Sequence, residues 1–236
     1  MLRVGRILSK AAVERWPLGE IMKLEIRRNL ISVLAFVGFI WLIFLINVPL
    51  SVTDWNLVQN YGLKPRTVSG LVGIFTMPFL HDGFEHLLGN TIPLAVLLFM
   101  LSVTRENARR IWISITVIAG LFTWVIGLSS PVVGASSLIY GLTAYLITAG
   151  IHERKLVSAG TAILVVVLYG GTLAWGLLPS AARSVAWDAH LLGAAAGAVF
   201  AHYTLRPRST KSVSSHSVAK PAPSASDAVS ESPAVF

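Results

Sequence analysis

The chain has 236 residues, 54% of them hydrophobic and 13% charged, with a formal net charge of +8. A soluble domain carries about 25% charged residues, so this composition, gathered into long apolar blocks, excludes an ordinary water-soluble globule. The lack of cysteine excludes disulfides and thiolate-held metals. Nucleic acid is excluded as the partner of the positive charge, because the basic residues sit at the ends of apolar blocks and read as topology signals facing anionic lipid.

Residues 1–29 form a basic segment, expected in the cytoplasm, with Arg3, Arg6, Lys10, Arg15, Lys23, Arg27 and Arg28. A mitochondrial transit peptide is the competing reading, and Glu14, Glu20 and Glu25 count against it. A bilayer-crossing helix needs about 20 mostly apolar residues. Six blocks approach this, near 30–50, 84–103, 111–129, 133–150, 157–177 and 187–204. The fourth and sixth are rich in Gly, Ala and Ser, which suits helices packed inside a bundle. The connection at 51–83 carries an apolar stretch, Leu71 to Leu80, too short to span and suited to lie in the interface or dip into it. After Tyr203 the composition turns Ser/Pro/Ala-rich, so residues 205–236 read as a disordered cytoplasmic tail.

Charge sets the orientation. With six spans and both termini in the cytoplasm, all but three of the 19 basic residues fall on the cytoplasmic side, leaving Lys64, Arg66 and Arg183 outside. Five or seven spans spoil this. The expected fold is therefore an all-α, polytopic, six-helix bundle in a cell membrane of bacterial type, with the lipid bilayer as a partner.

Polar residues at membrane depth are expensive and mark functional sites. They collect at His81, His86 and Asn90; at Ser136 and Ser137; and at Asp188 and His190. Spans 2, 4 and 6 all run from outside to inside, and His86, Ser136 and His190 each fall near the start of one of them, at one shallow level. His86 and Asn90 share a face, as do Ser136 and Tyr140. His190, Gly193 and Gly197 line a stripe of span 6 that matches Ser137, Gly141, Ala144 and Thr148 on span 4. Packing these stripes brings His190 towards Ser136.

That arrangement suits nucleophilic acyl transfer, with Ser136 as nucleophile and His190 as base. The Ser136 backbone N–H, His86 and the Asn90 amide are candidate donors to the oxyanion. Asp188 lies two residues from His190, about 200° around the helix, and reads as a helix cap or interface residue. Plainer readings stand beside these. Ser136 can be small packing, His86 a bundle contact, His81 a cap or part of the entrance lining, and Asp82 and Glu85 first-turn acids favoured by the helix dipole. Metal binding by His81, His86 and His190 lacks a supporting pattern. A transporter or channel is disfavoured because no duplicated half is visible and the polar residues cluster near one surface.

Three motifs resemble the rhomboid family of intramembrane serine proteases over about residues 30–204: His81-x4-His86-x3-Asn90; Gly134-Ala-Ser136-Ser137 followed by Tyr140; and Ala189-His190-x2-Gly193-x3-Gly197. The resemblance implies a protease core over 30–204 that hydrolyses bonds in or near transmembrane segments of membrane proteins. It also implies a Ser136–His190 dyad, an oxyanion site at His86 and Asn90, Tyr140 stacked on His190, no cofactor, and a cap at the outer connection 178–186. The alternative is a catalytically silent relative that binds transmembrane clients. Ser137 stands where the family usually has glycine, and the Trp-Arg pair common in the first loop is replaced around Gly73-Ile74-Phe75-Thr76.

Overall fold

The computed structural model describes residues 18–128, 131–179 and 186–205. Residues 1–17 of the basic segment, 180–185 of the last outer connection (with Arg183) and 206–236 of the expected tail lie outside the described residues. Six long helices occupy the six expected positions: α1 (Leu18–Leu50), α4 (Phe84–Thr104), α5 (Ala108–Ile126), α6 (Ser136–Glu153), α7 (Leu156–Gly176) and α8 (Trp187–Leu205). Between α1 and α4 run α2 (Leu57–Tyr61), a 3₁₀ turn at Ser69–Leu71, α3 (Gly73–Thr76) and a second 3₁₀ turn at Met77–Phe79. The helices α4 and α5, and α1 from Gly19, are long and apolar enough to cross a membrane. The chain is thus an all-α, multi-span membrane protein. Apolar side chains that a soluble protein would bury point outward along these helices, as at Leu34, Leu45 and Val167.

α1 starts twelve residues before the expected span. At about 1.5 Å per residue its 33 residues reach about 50 Å, well beyond a hydrocarbon core of about 30 Å. Hydropathy sees only the part that suits lipid; Lys23, Arg27 and Arg28 lie on its polar first turns, where Lys23 pairs with Glu20 at 2.7 Å. Trp41 then donates to Thr91 Oγ1 at 3.1 Å, tying α1 to α4.

The 51–83 connection is folded and anchored, not a free loop. Asn56 caps α2 by accepting from the Val58 and Gln59 amides. Leu63 and Val132 exchange backbone hydrogen bonds at 3.0 and 2.8 Å. Arg66, in the left-handed region at φ 57°, turns its guanidinium back to the Gly127 carbonyl at 2.8 Å, beyond the C-terminus of α5, where a cation is favoured. Trp124 on α5 donates to the Thr67 carbonyl at 2.8 Å. Gly73 lets α3 lie against the Leu63 backbone, since a Cβ there would sit 2.2 Å from Leu63 Cα.

α6 is the centre of the bundle, packed against α8 most extensively and also against α7, α4 and α5. The small-residue stripes meet as their spacing requires. A Cβ on Gly193 would lie 2.1 Å from the Ser137 carbonyl oxygen, and one on Gly197 would lie 1.8 Å from that of Gly141. Only glycine permits this approach. At the far end of α6, Glu153 accepts from Arg105 and from Ser158, joining three helix ends through one carboxylate.

Candidate active site

Helix starts set the level of the site. Ser136 is the first residue of α6, His190 the fourth of α8 and His86 the third of α4. Close α6–α8 packing places the Ser136 hydroxyl 2.9 Å from His190 Nε2. The other ring nitrogen, Nδ1, donates to the Gly176 carbonyl at 2.9 Å, which fixes the tautomer. With the proton on Nδ1, Nε2 carries a lone pair and accepts from Ser136. Tyr140, one turn below the serine, stacks on the imidazole with ring centroids 4.3 Å apart and planes 9° from parallel. Its hydroxyl donates to the Leu173 carbonyl at 3.0 Å.

On the opposite side of Ser136 the chain arrives through Gly134, whose φ of 103° suits glycine alone among the residue types. A Cβ there would meet His86 Nε2 at 2.5 Å and Asn90 Nδ2 at 3.3 Å. His86 and Asn90 therefore face the turn that leads to the Ser136 N–H. The Asn90 amide donates one N–H to His81 Nε2 at 3.0 Å, which leaves its second N–H to point elsewhere. Burial first, and the neighbouring His86 second, push His81 down to about 4. His81 is therefore neutral near pH 7 and able to accept from Asn90. The first motif works as a chain: His81 orients Asn90, and Asn90 and His86 line the turn. Gly193 and Gly197 set how near α8 comes to α6, against the Ser137 and Gly141 backbone.

Two partners escape a reading of the residues alone. Asp82, expected as a first-turn acid, instead holds His86: its carboxylate oxygen lies 2.6 Å from His86 Nδ1. The i, i+4 spacing carried that signal. With Nδ1 turned to Asp82, Nε2 is the ring nitrogen that faces the Gly134 turn. Because the pair is partly exposed and exposed pairs are worth little, Asp82→Asn should slow turnover only about 3–10-fold, measured as kcat in detergent. The second missed partner is the Gly176 carbonyl. The Asp188 carboxylate accepts from the Leu128 amide at 2.6 Å, fastening the segment after α5 to the start of α8.

Ser137, which stands where glycine is usual in the resembled motif, is buried, and among the described residues its hydroxyl has no hydrogen-bond partner. A buried unpaired hydroxyl costs about 1–3 kcal/mol. Ser137→Ala should therefore raise the thermal midpoint in detergent and leave turnover within about threefold.

The comparisons agree with this architecture. The Rhomboid domain family matches residues 68–207, which take in all three site-bearing helices. An uncharacterised protein of Mycobacterium tuberculosis and another of Mycobacterium bovis are each 35% identical over 186 residues, covering 75% of this chain and 75% of theirs. An uncharacterised protein of Mycobacterium leprae is 32% identical over 190 residues, covering 75% of this chain and 72% of its own. With a family match across more than half its length and relatives that cover three-quarters of it, the chain belongs to the Rhomboid domain family.

Proposed function

We propose that this protein is an intramembrane serine endopeptidase, hydrolysing peptide bonds in or near the transmembrane segments of other membrane proteins. The observation that carries the reading is the 2.9 Å contact between Ser136 Oγ and His190 Nε2, on two helix starts at one level. In this reading all six long helices span the membrane, both termini lie in the cytoplasm, and the membrane is a bacterial plasma membrane, as the mycobacterial relatives suggest. Residues 30–204 are the protease core, and its partners are transmembrane substrates and the bilayer.

The reaction follows from the geometry. Nε2 of His190 takes the Ser136 proton as Oγ attacks the scissile carbonyl carbon. The resulting oxyanion is held by the Ser136 N–H, His86 Nε2–H and the free N–H of Asn90. His190 then gives its proton to the leaving amine, and an acyl–enzyme ester remains on Ser136. Water, deprotonated by the same nitrogen, attacks that ester and restores the serine. Tyr140 limits the imidazole to one plane, and Gly134 supplies the turn around the oxyanion.

Activation of Ser136 is testable apart from any substrate. An alkyl fluorophosphonate, which phosphonylates activated serines, should add to Ser136 and to no other serine, as read by peptide mass spectrometry. His190→Ala should abolish the adduct. Absence of the adduct from the wild-type protein, or an unchanged rate in His190→Ala, contradicts the proposal.

A further inference from the structure

A Ser–His dyad needs something to hold His190 in the one tautomer that can act as a base. In serine hydrolases with three members a carboxylate takes the far imidazole N–H, orienting the ring and stabilising the imidazolium. Here the one nearby acid on α8, Asp188, is engaged with Leu128. The acceptor at Nδ1 is instead the main-chain oxygen of Gly176, 2.9 Å away.

That oxygen is suited to the task. Gly176 is the last residue of α7, so its carbonyl is one of the four at a helix C-terminus that no helical N–H can satisfy. The helix end also carries a partial negative charge, roughly half an elementary charge, which favours the cationic ring. The next amides turn back to earlier carbonyls, Leu177 to Ala174 and Leu178 to Trp175, and among the described residues the imidazole is the partner of the Gly176 oxygen. The residue must also be glycine. A Cβ at this position would meet the Tyr140 hydroxyl at 2.1 Å, the ring carbon bearing it at 3.2 Å and His190 Nδ1 at 3.4 Å. Tyr140 cannot swing aside, because it is stacked on His190 and donates to Leu173, three residues before Gly176 on the same helix. Two contacts thus clasp the end of α7 to the base: Tyr140 to Leu173, and His190 to Gly176.

Resting on the protease reading above, we propose that the Gly176 carbonyl is the positioning group of His190, the third member of a Ser136–His190–carbonyl relay. The Tyr140 hydroxyl sets its distance. The end of α7 is then part of the catalytic apparatus, although it bears no side chain that reacts.

The test uses the full chain labelled with ¹⁵N in its histidine rings, in detergent micelles, with His190 identified by its loss in His190→Ala. The wild-type ring should be the Nδ1–H tautomer, with a downfield, hydrogen-bonded Nδ1 proton. Gly176→Ala should lose that proton signal and slow fluorophosphonate addition to Ser136 by about 10–100-fold. Adding Tyr140→Phe removes the oxygen that the new methyl would strike. The double variant should therefore regain the signal and react within about fivefold of Tyr140→Phe alone. A wild-type ring protonated on Nε2 overturns the assignment without any variant. So does a Gly176→Ala protein identical to wild type, or a double variant in which the two losses simply multiply. If the ring shows the Nδ1–H tautomer but Ser136 takes no adduct, the carbonyl assignment stands and the protease reading falls.

Discussion

Ser136→Ala should lower cleavage of a transmembrane substrate by at least about three orders of magnitude, and His190→Ala should do the same. Removing the serine deletes the atom proposed to bond to the scissile carbon; removing the histidine takes away the acceptor 2.9 Å from its hydroxyl. Because the two act as one unit, the double variant should be no slower than either single one. Both side chains sit at helix starts, and the α6–α8 interface rests on Gly193, Gly197 and backbone contacts, which neither change alters. Thermal midpoints should stay within a few degrees of wild type. A tenfold-additive double variant would indicate two independent roles and contradict the relay.

Gly134→Ala is expected to come next in size, with kcat lowered about 100-fold or more and KM changed far less. Two effects act together. The φ of 103° is strained for any side chain, at a cost of about 1–3 kcal/mol, and the new Cβ would fall 2.5 Å from His86 Nε2, the nitrogen proposed to face the oxyanion. Relief requires moving either His86 or the turn that presents the Ser136 N–H, and either movement separates donor from oxygen. Gly89 is the matched control. It lies inside α4, where a Cβ would meet nothing within 4 Å, and Gly89→Ala should hold wild-type turnover with a slightly higher thermal midpoint, since alanine favours helix by about 0.5–1 kcal/mol.

Much of the fold is legible in the chain because a bilayer imposes simple rules. Apolar blocks of about 20 residues place α4 to α8 within a few residues of their observed ends. The stripe of Gly193 and Gly197 implies a close helix partner, and the partner is α6. The start of α1 is less legible, because its first turns are amphipathic and basic, and hydropathy sees no helix there. The anchoring of the first loop through Arg66, Thr67 and Trp124 uses backbone acceptors at the end of α5, which no residue pattern records.

The same division runs through the site. Ser136, His190, His86 and Asn90 are recognisable because their side chains suit the proposed chemistry and lie near the starts of their helices. Asp82 was visible in principle, four residues before His86, but a helix-start acid has an ordinary explanation that hides the pairing. Gly176 was not visible. Its proposed contribution is a main-chain oxygen at the end of a helix, and only the packing of α7 and α8 against α6 decides which carbonyl meets the imidazole.

The most direct measurement is cleavage itself. The full chain, reconstituted in liposomes with a panel of single-span proteins, should cut at least one of them within or beside its transmembrane segment, with the new N-terminus identified by mass spectrometry. The Ser136→Ala protein, reconstituted at equal amount, should leave every member of the panel intact. Cleavage by Ser136→Ala at the wild-type rate would contradict the account.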